Sequence, residues 1–259
     1  MTSASKIVPP YWLRFVVSIW MWFYLVIGTA VISLTTVFFI LPFSMLIEPR
    51  ERRFVHIMAQ WWGRYLVRMN PFWSVEVKGI ENIDRRAAYV IVANHQSIVD
   101  IFLLLAVLPL HFKFVAKKEL FSIPFVGWHM TLAKYMPLDR GSHESGRRVL
   151  IKSKEWLEKG VSILLFPEGT RSLDGNIHEF KAGAFKLARE TGRPLLPVVV
   201  NGTGNTIPKK SWMLDQRCRL IVSIGCPIPA DDEVENLRHE VRLEMAGRLK
   251  QIRAAGPAL

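Results

Sequence analysis

Cysteine is nearly absent from this chain of 259 residues, with only Cys218 and Cys226. Two thiols cannot build the disulfide framework of a small secreted domain, and their scarcity suits a reducing compartment. Zinc-finger spacing is missing, as are a basic helix with heptads and an aromatic-basic ribonucleoprotein pattern, which argues against nucleic acid as a partner. No Gly-x-Ser-x-Gly elbow supplies a nucleophilic serine. Gly202-Thr203-Gly204 lacks the Gly-Lys-Ser/Thr that completes a phosphate loop. Internal repeats, long linkers and low-complexity segments are lacking too, so the length suits one large domain plus an appendage. Acidic residues are in deficit, 22 Asp and Glu against 34 Lys and Arg, for a formal charge of +12. That surplus calls for an anionic partner.

Charge is missing altogether from Phe15 to Ile47. This run exceeds the roughly 20 residues that a helix needs to cross a bilayer, and it is too long for the apolar part of a signal peptide. Gly28 and Pro42 mark possible breaks, so a tilted span, a re-entrant hairpin and a helix within one leaflet all remain open. Arg50, Arg52 and Arg53 follow it and, against the weaker bias of Lys6 and Arg14, put this end on the cytoplasmic side by the positive-inside rule. With a membrane segment present, the anionic partner is expected among lipid headgroups. From Arg53 to Met69, helical spacing groups Phe54, Ile57, Met58, Trp61, Trp62, Tyr65, Leu66 and Met69 on one face, with Arg64 and Arg68 on the other. An interfacial helix and a helix packed on a neighbouring domain both fit this pattern.

The remaining chain alternates short β-branched runs with helical patterns, the mark of an α/β fold. Val90 to Val92 reads as a strand covered on both faces, and it runs into Asn94-His95-Gln96-Ser97-Ile98-Val99-Asp100. The carboxyl end of such a strand is where open α/β sheets bind ligands. On one regular helix, residues five apart point roughly 140° away from each other. His95 in the loop and Asp100 in the first helical turn, by contrast, bring carboxylate and imidazole together, as a general base requires. The same letters also fit a capping box, with Asp100 serving the backbone N–H of Ser97. Neither a Cys nor a second His stands in this stretch to complete a metal site.

Further strands are expected at Val75–Lys78, Phe112–Ala116, Ser162–Phe166, Leu195–Val200 and Leu220–Ile224. Helices are expected from Ser145 to Lys159, after Phe180 and from Val234 to Ile252. Lys117 and Arg140 stand at loop ends, where they are either phosphate donors or merely solvated. Phe125 and Trp128, beside Gly127, face either an acyl chain or the core, and the core is the better fit. Phe166-Pro167-Glu168-Gly169-Thr170-Arg171-Ser172 follows a strand; Gly169 lets backbone N–H groups approach an oxyanion, and Arg171 offers a bidentate fork.

Asn94 to Asp100 resembles the NHx4D motif of the glycerolipid acyltransferases, and specifically of the bacterial 1-acylglycerol-3-phosphate acyltransferases. Lys117, Leu120, Gly127 and Arg140 are similar to a second motif, Phe166–Ser172 to a third and Leu195–Val200 to a fourth. The resemblance covers Phe54 to Val200. It implies a mixed, largely parallel sheet flanked by helices, with an amino-terminal membrane-embedded helical element at 1–70 and a catalytic domain at 71–259. It also implies that His95 is the base and Asp100 its partner, and that Lys117, Arg140, Glu168, Gly169, Thr170 and Arg171 bind the glycerol phosphate, with Lys181 adding charge. The implied donor is acyl-CoA or acyl carrier protein, the acceptor lysophosphatidate and the product phosphatidate, with no metal and no further cofactor. Membrane phospholipids are the expected surroundings, at the cytoplasmic side of a bacterial inner membrane. Gln96 fits the lysophosphatidate branch, although another lysolipid acceptor, such as an ornithine-type lyso-lipid, and a non-catalytic lipid-binding role stay open.

Overall fold

In the computed structural model, residues 10–206, 213 and 217–255 are described; Lys209 and Lys210, which make basic the segment read as a loop from Asn201 to Gln216, lie outside them. Seven strands form one sheet: β1 (Trp73–Lys78), β2 (Val90–Ala93), β3 (Phe112–Lys117), β4 (Met136–Leu138), β5 (Ser162–Leu165), β6 (Leu195–Asn201) and β7 (Cys218–Ile224). Their order is β1-β7-β6-β2-β5-β3-β4, and every pairing is parallel except β6 with β7. Strand periodicity feeds two cores. Ile91, Ala93, Leu196, Val198 and Val200 point into one, while Val90, Val92, Leu195 and Val199 point into the other. The mixed sheet covered on both faces is the expected one.

The first core is roofed by α3 (Arg53–Arg68), α4 (Val99–Val107) and α5 (Val126–Leu132). The second is roofed by α6 (His143–Glu158), α7 (Gly183–Thr191) and α8 (Val234–Ala254). Ser142 caps α6 through the Ser145 N–H, and Gly160, at φ +78°, follows its end. In α8, Leu237, Val241, Met245, Leu249 and Ile252 form the buried stripe that the spacing predicts.

The buried face of α3 differs from the sequence expectation. Trp61 and Met69 are exposed, and the buried row is Val55, His56, Ala59, Gln60, Trp62, Gly63, Leu66 and Val67. Polar residues sit in that row because they satisfy the end of α4. Gln60 donates to the carbonyls of Leu108 (3.0 Å) and Leu110 (3.1 Å), and Arg64 donates to that of Ala106 (3.2 Å). Hydropathy alone puts these side chains on the wrong side.

The uncharged run forms a continuous helical rod: α1 (Tyr11–Thr35), a π-helical turn at Thr36–Ile40, and α2 (Leu41–Ile47). Neither suspected break interrupts it. The π turn absorbs Pro42, whose missing N–H and bulky ring would disrupt regular α-helix. Gly28 instead admits the ring of Tyr65 from α3, since a Cβ there would lie 2.3 Å from Tyr65 Cε1. The rod is amphipathic in reverse. Ser18, Gly28, Thr29, Ser33, Thr36 and Ser44 are buried, while Trp12, Trp20, Phe23, Phe38, Phe39 and Leu46 are exposed. Small residues let the helix lie close to α3, as they do between helices in lipid. The buried flank is tied down by hydrogen bonds from Trp62 Nε1 to Thr29 Oγ1 (3.1 Å) and from Ser33 Oγ to the Phe125 carbonyl (3.3 Å).

Candidate functional site

The site is built where β2, β5, β3 and β4 present their carboxyl ends. At the end of β2, Asn94 continues the ladder with its side chain: its Nδ2 donates to the Val200 carbonyl (2.9 Å) and its Oδ1 accepts from the Val200 N–H (2.7 Å). β2 is thereby locked to β6 at the position where the chain must leave the sheet. The next residue, His95, is fixed on three sides. Its Nδ1 lies 2.7 Å from Asp100 Oδ2, its ring stacks on Phe166 at 4.2 Å and 22°, and its carbonyl accepts from the Ser172 N–H at 2.7 Å. With Nδ1 donating to the carboxylate, Nε2 is the nitrogen left with a free lone pair. The His95 side chain is 13% exposed, so the ring is held but reachable.

Asp100 is fully buried in the first turn of α4. Its Oδ2 also accepts from the backbone N–H groups of Gln96 (2.7 Å) and Ser97 (2.9 Å). The dyad and the cap are therefore the same contact. Oδ1 is buried without a hydrogen-bond partner among the described residues.

Glu168, in the loop after β5, is turned inward. Its Oε1 accepts from the His95 N–H and its Oε2 from the His178 N–H, each at 3.3 Å. Burial pushes its pKa up, and these two donors pull against that. The carboxylate is thus spent on holding the loops together. Gly169, at φ +71°, donates its N–H to the Phe166 carbonyl (3.0 Å), closing a turn, so that N–H is not open to an oxyanion. The close neighbour that Gly169 admits is Lys181, whose Nζ would lie 2.8 Å from a Cβ.

The other expected site residues are exposed at the same edge. Thr170 and Arg171 follow the Gly169 turn. Lys117 ends β3 and pairs with Glu119 (3.3 Å); β4 runs beside β3 and leads to Asp139, which pairs with Lys118, and then to Arg140. These contacts hold the Lys118 pKa up and the Asp139 pKa down. The sheet order puts Lys117 and Arg140 on the β3–β4 side of His95, while Arg171 faces the β6 side.

Two hollows flank the dyad loop. A polar pocket of about 530 Å³ is lined by Gln96, Arg171, Asn201, Asn205 and Arg253, among others. An almost wholly apolar cavity of about 450 Å³ lies among α1, α3, α4 and α5, with Met21, Trp62, Phe102, Leu120 and Phe125 in its wall. Ile98, inside the motif, lines both. Phe125 therefore faces the apolar cavity and Trp128 is exposed, where the sequence preferred the core over an acyl chain for both. Among the described residues, no three His, Cys, Asp or Glu side chains gather as a metal site.

Sequence reasoning passed over Asn94 as a ladder residue, Phe166 as the floor of the imidazole, and Gln96 and Arg253 as pocket walls. Only the Asn and the Phe carried a signal, each standing directly at the end of a buried strand.

Residues 74–201 match the family model described as Acyltransferase. The chloroplastic 1-acyl-sn-glycerol-3-phosphate acyltransferase LPAT1 of Arabidopsis thaliana is 38% identical over 208 residues, which is 79% of this chain and 57% of that protein. The chain thus spans little more than half of that relative. The 1-acyl-sn-glycerol-3-phosphate acyltransferase of Pseudomonas aeruginosa is 35% identical over 195 residues, 73% of each protein. Among solved structures, the 1-acyl-sn-glycerophosphate acyltransferase PlsC from Thermotoga maritima superposes with a TM-score of 0.72 at 30% identity. That match covers 89% of this chain and 95% of the other.

Proposed function

The chain belongs to the 1-acyl-sn-glycerol-3-phosphate acyltransferase family, and on that premise we propose that it moves an acyl group from a thioester to the sn-2 hydroxyl of lysophosphatidate, giving phosphatidate. The observation that carries this reading is that an apolar cavity and an Arg171-lined polar pocket share Ile98, inside the loop that joins His95 to Asp100. An acyl chain suits the first and a glycerol phosphate the second, which leaves the reacting carbonyl and hydroxyl between them.

His95 Nε2 takes the proton of the acceptor hydroxyl as its oxygen attacks the thioester carbonyl. The tetrahedral intermediate then expels the thiolate, which receives that proton from the imidazolium. Asp100 Oδ2, 2.7 Å from Nδ1, fixes the tautomer and stabilises the imidazolium. Arg171, with Lys117 and Arg140 across the site, neutralises phosphate charge. Glu168 and Gly169 serve by shaping the loop that carries Thr170 and Arg171. Acyl-CoA and acyl carrier protein are both donors that this basic chain accommodates. No metal or further cofactor is assigned. The absence of a serine elbow favours direct transfer in a ternary complex.

The rod of α1 and α2 is held against α3, and through Ser33 against the Phe125 carbonyl, by one flank, and offers Trp, Phe and Leu on the other. A helix tethered in this way lies along one leaflet among phospholipids. Arg50, Arg52 and Arg53 at its end support the cytoplasmic face of a bacterial inner membrane as the setting.

Purified wild type and His95→Ala in detergent micelles, given oleoyl-CoA with lysophosphatidate, glycerol 3-phosphate or lysophosphatidylcholine, test the reading. Acylation of lysophosphatidate alone, abolished by His95→Ala, is expected. Transfer undiminished in the variant removes His95 from the mechanism, and a covalent acyl-enzyme trapped during turnover removes direct transfer.

A further inference from the structure

Arg171 makes no hydrogen bond or ion pair among the described residues, so its placement depends on the backbone that carries it. That backbone continues into the loop from Ser172 to His178. One end of the loop is fixed by the Ser172 N–H on the His95 carbonyl, and inside it Asp174 gathers the Asn176 N–H (3.0 Å) and the His178 imidazole (2.9 Å). The tip is held from outside. The Gly175 carbonyl accepts from Gln96 Nε2 at 3.2 Å and from Arg253 Nη2 at 2.7 Å, while Arg253 Nη1 donates to Asn176 Oδ1 at 2.8 Å. Gly175 is shaped for this approach: φ is +76°, and a Cβ would lie 2.9 Å from Arg253 Nη2. Arg253 stands in the last turn of α8, outside every motif of the sequence, yet it lines the same polar pocket as Arg171 and Gln96.

We infer that Arg253 is a positioning residue for the acceptor headgroup. Its two charge-assisted hydrogen bonds clamp Gly175 and Asn176, and the shared carbonyl sets the span between Gln96 and the strand of loop bearing Arg171. Both terminal nitrogens are occupied by the loop, so the guanidinium acts through the loop and by adding positive potential to the pocket. The inference rests on the reading that this pocket takes the glycerol phosphate. A displaced Arg171 weakens headgroup binding, whereas His95 and Asp100 keep their own fixings and turn over bound substrate as before.

The test is steady-state kinetics of the full chain in micelles, with lysophosphatidate and oleoyl-CoA varied in turn, for wild type, Arg253→Ala, Arg253→Lys and Gly175→Ala. Arg253→Ala is expected to raise KM for lysophosphatidate about ten-fold, the scale of one lost hydrogen bond to a charged group. kcat should move by less than about two-fold, and the donor KM and the pH profile of kcat should stay in place. Gly175→Ala, which evicts the guanidinium from the opposite side, should give the same split, and Arg253→Lys an intermediate one. An unchanged lysophosphatidate KM in Arg253→Ala overturns the inference. So does a parallel loss in kcat and both KM values, which marks general loosening. A wild type inactive on lysophosphatidate overturns the parent reading first, and is seen before any variant is compared.

Discussion

Oδ2 of Asp100 accepts three hydrogen bonds, from the His95 imidazole and from the N–H groups of Gln96 and Ser97. One atom thus shapes the loop and orients the base, and a substitution can separate the two duties. Asparagine keeps a carbonyl oxygen for the backbone donors but carries no charge to stabilise an imidazolium. Asp100→Asn is therefore expected to lower kcat by roughly a thousand- to ten-thousand-fold, the scale of the same exchange in a Ser-His-Asp triad. The melting temperature should fall by only about 3 °C, the size of a weakened cap in a chain of this length. Activity above about a tenth of wild type in a folded Asp100→Asn protein would leave Asp100 as a cap alone. This pair was legible in the sequence because a loop-borne His95 stands beside an Asp100 in the first turn of the next helix, the arrangement that the structure shows. Glu168 was legible as a letter but not as a role, since its donor, the His95 N–H, stands 73 positions away in sequence. Arg253 had no signal at all, because an arginine in the last turn of a helix is ordinary on local grounds.

At the scale of elements, α1 and α3 meet through aromatic and small residues rather than through an apolar stripe. Tyr24 and Tyr65 stack at 4.2 Å and 10°, Tyr65 Oη donates to the Tyr24 carbonyl at 3.3 Å, and the Tyr65 ring lies over Gly28. An added methyl at Gly28 must either push the helices apart or drive the ring out of its stack. Gly28→Ala is expected to cost about 1–3 kcal/mol, the usual range for overpacking. In a Tyr65→Ala background the same change should cost far less, a coupling that thermal melts of the four proteins in micelles will measure. Additive effects would mean that the ring swings away freely and that the glycine has no packing role. The sequence marked Gly28 as a break because glycine disfavours helices; the neighbour that makes it necessary is 37 positions on. The strands, by contrast, were legible except for β4, whose three residues around Pro137 at the edge of the sheet carry no run of β-branched residues. A strand buried on both faces declares itself by uninterrupted β-branched residues, whereas a helix face depends on its neighbours, as the polar row of α3 demonstrates.

Across the whole molecule, the seam between the amino-terminal helices and the sheet closes over Lys113. This residue of β3 is fully buried; its Nζ donates to the carbonyls of Glu51 (2.7 Å) and Ala133 (2.9 Å), lies 3.2 Å from His111 Nε2 and sits over the Trp156 ring at 5.0 Å. Burial lowers its pKa to about 7; Lys134 and Arg52 push the same way, against the opposing carboxylates of Glu48 and Glu51. Burial also takes the adjoining His111 down to about 3, so that imidazole is neutral; with both amine protons on the two carbonyls, His111 Nε2–H faces the lone pair of the uncharged amine. The sign of the linkage follows. Between the folded value near 7 and the ordinary lysine value of 10.5, the unfolded chain binds the extra proton, so this group makes stability rise with pH across that window and contributes least below it. Lys113→Met removes the titration together with the hydrogen bonds to both carbonyls. Melting temperatures in micelles at intervals from pH 7 to 9.5 should place the variant furthest below wild type at the alkaline end, with the gap narrowing toward pH 7. His111, His56 and Glu48, which the Lys113 charge also pushes down, titrate below this window, so the difference between the two proteins reports Lys113. A gap that is constant or widens as the pH falls would mean that Lys113 keeps its proton in the fold, and that the seam is held by a charged ammonium instead of a neutral amine.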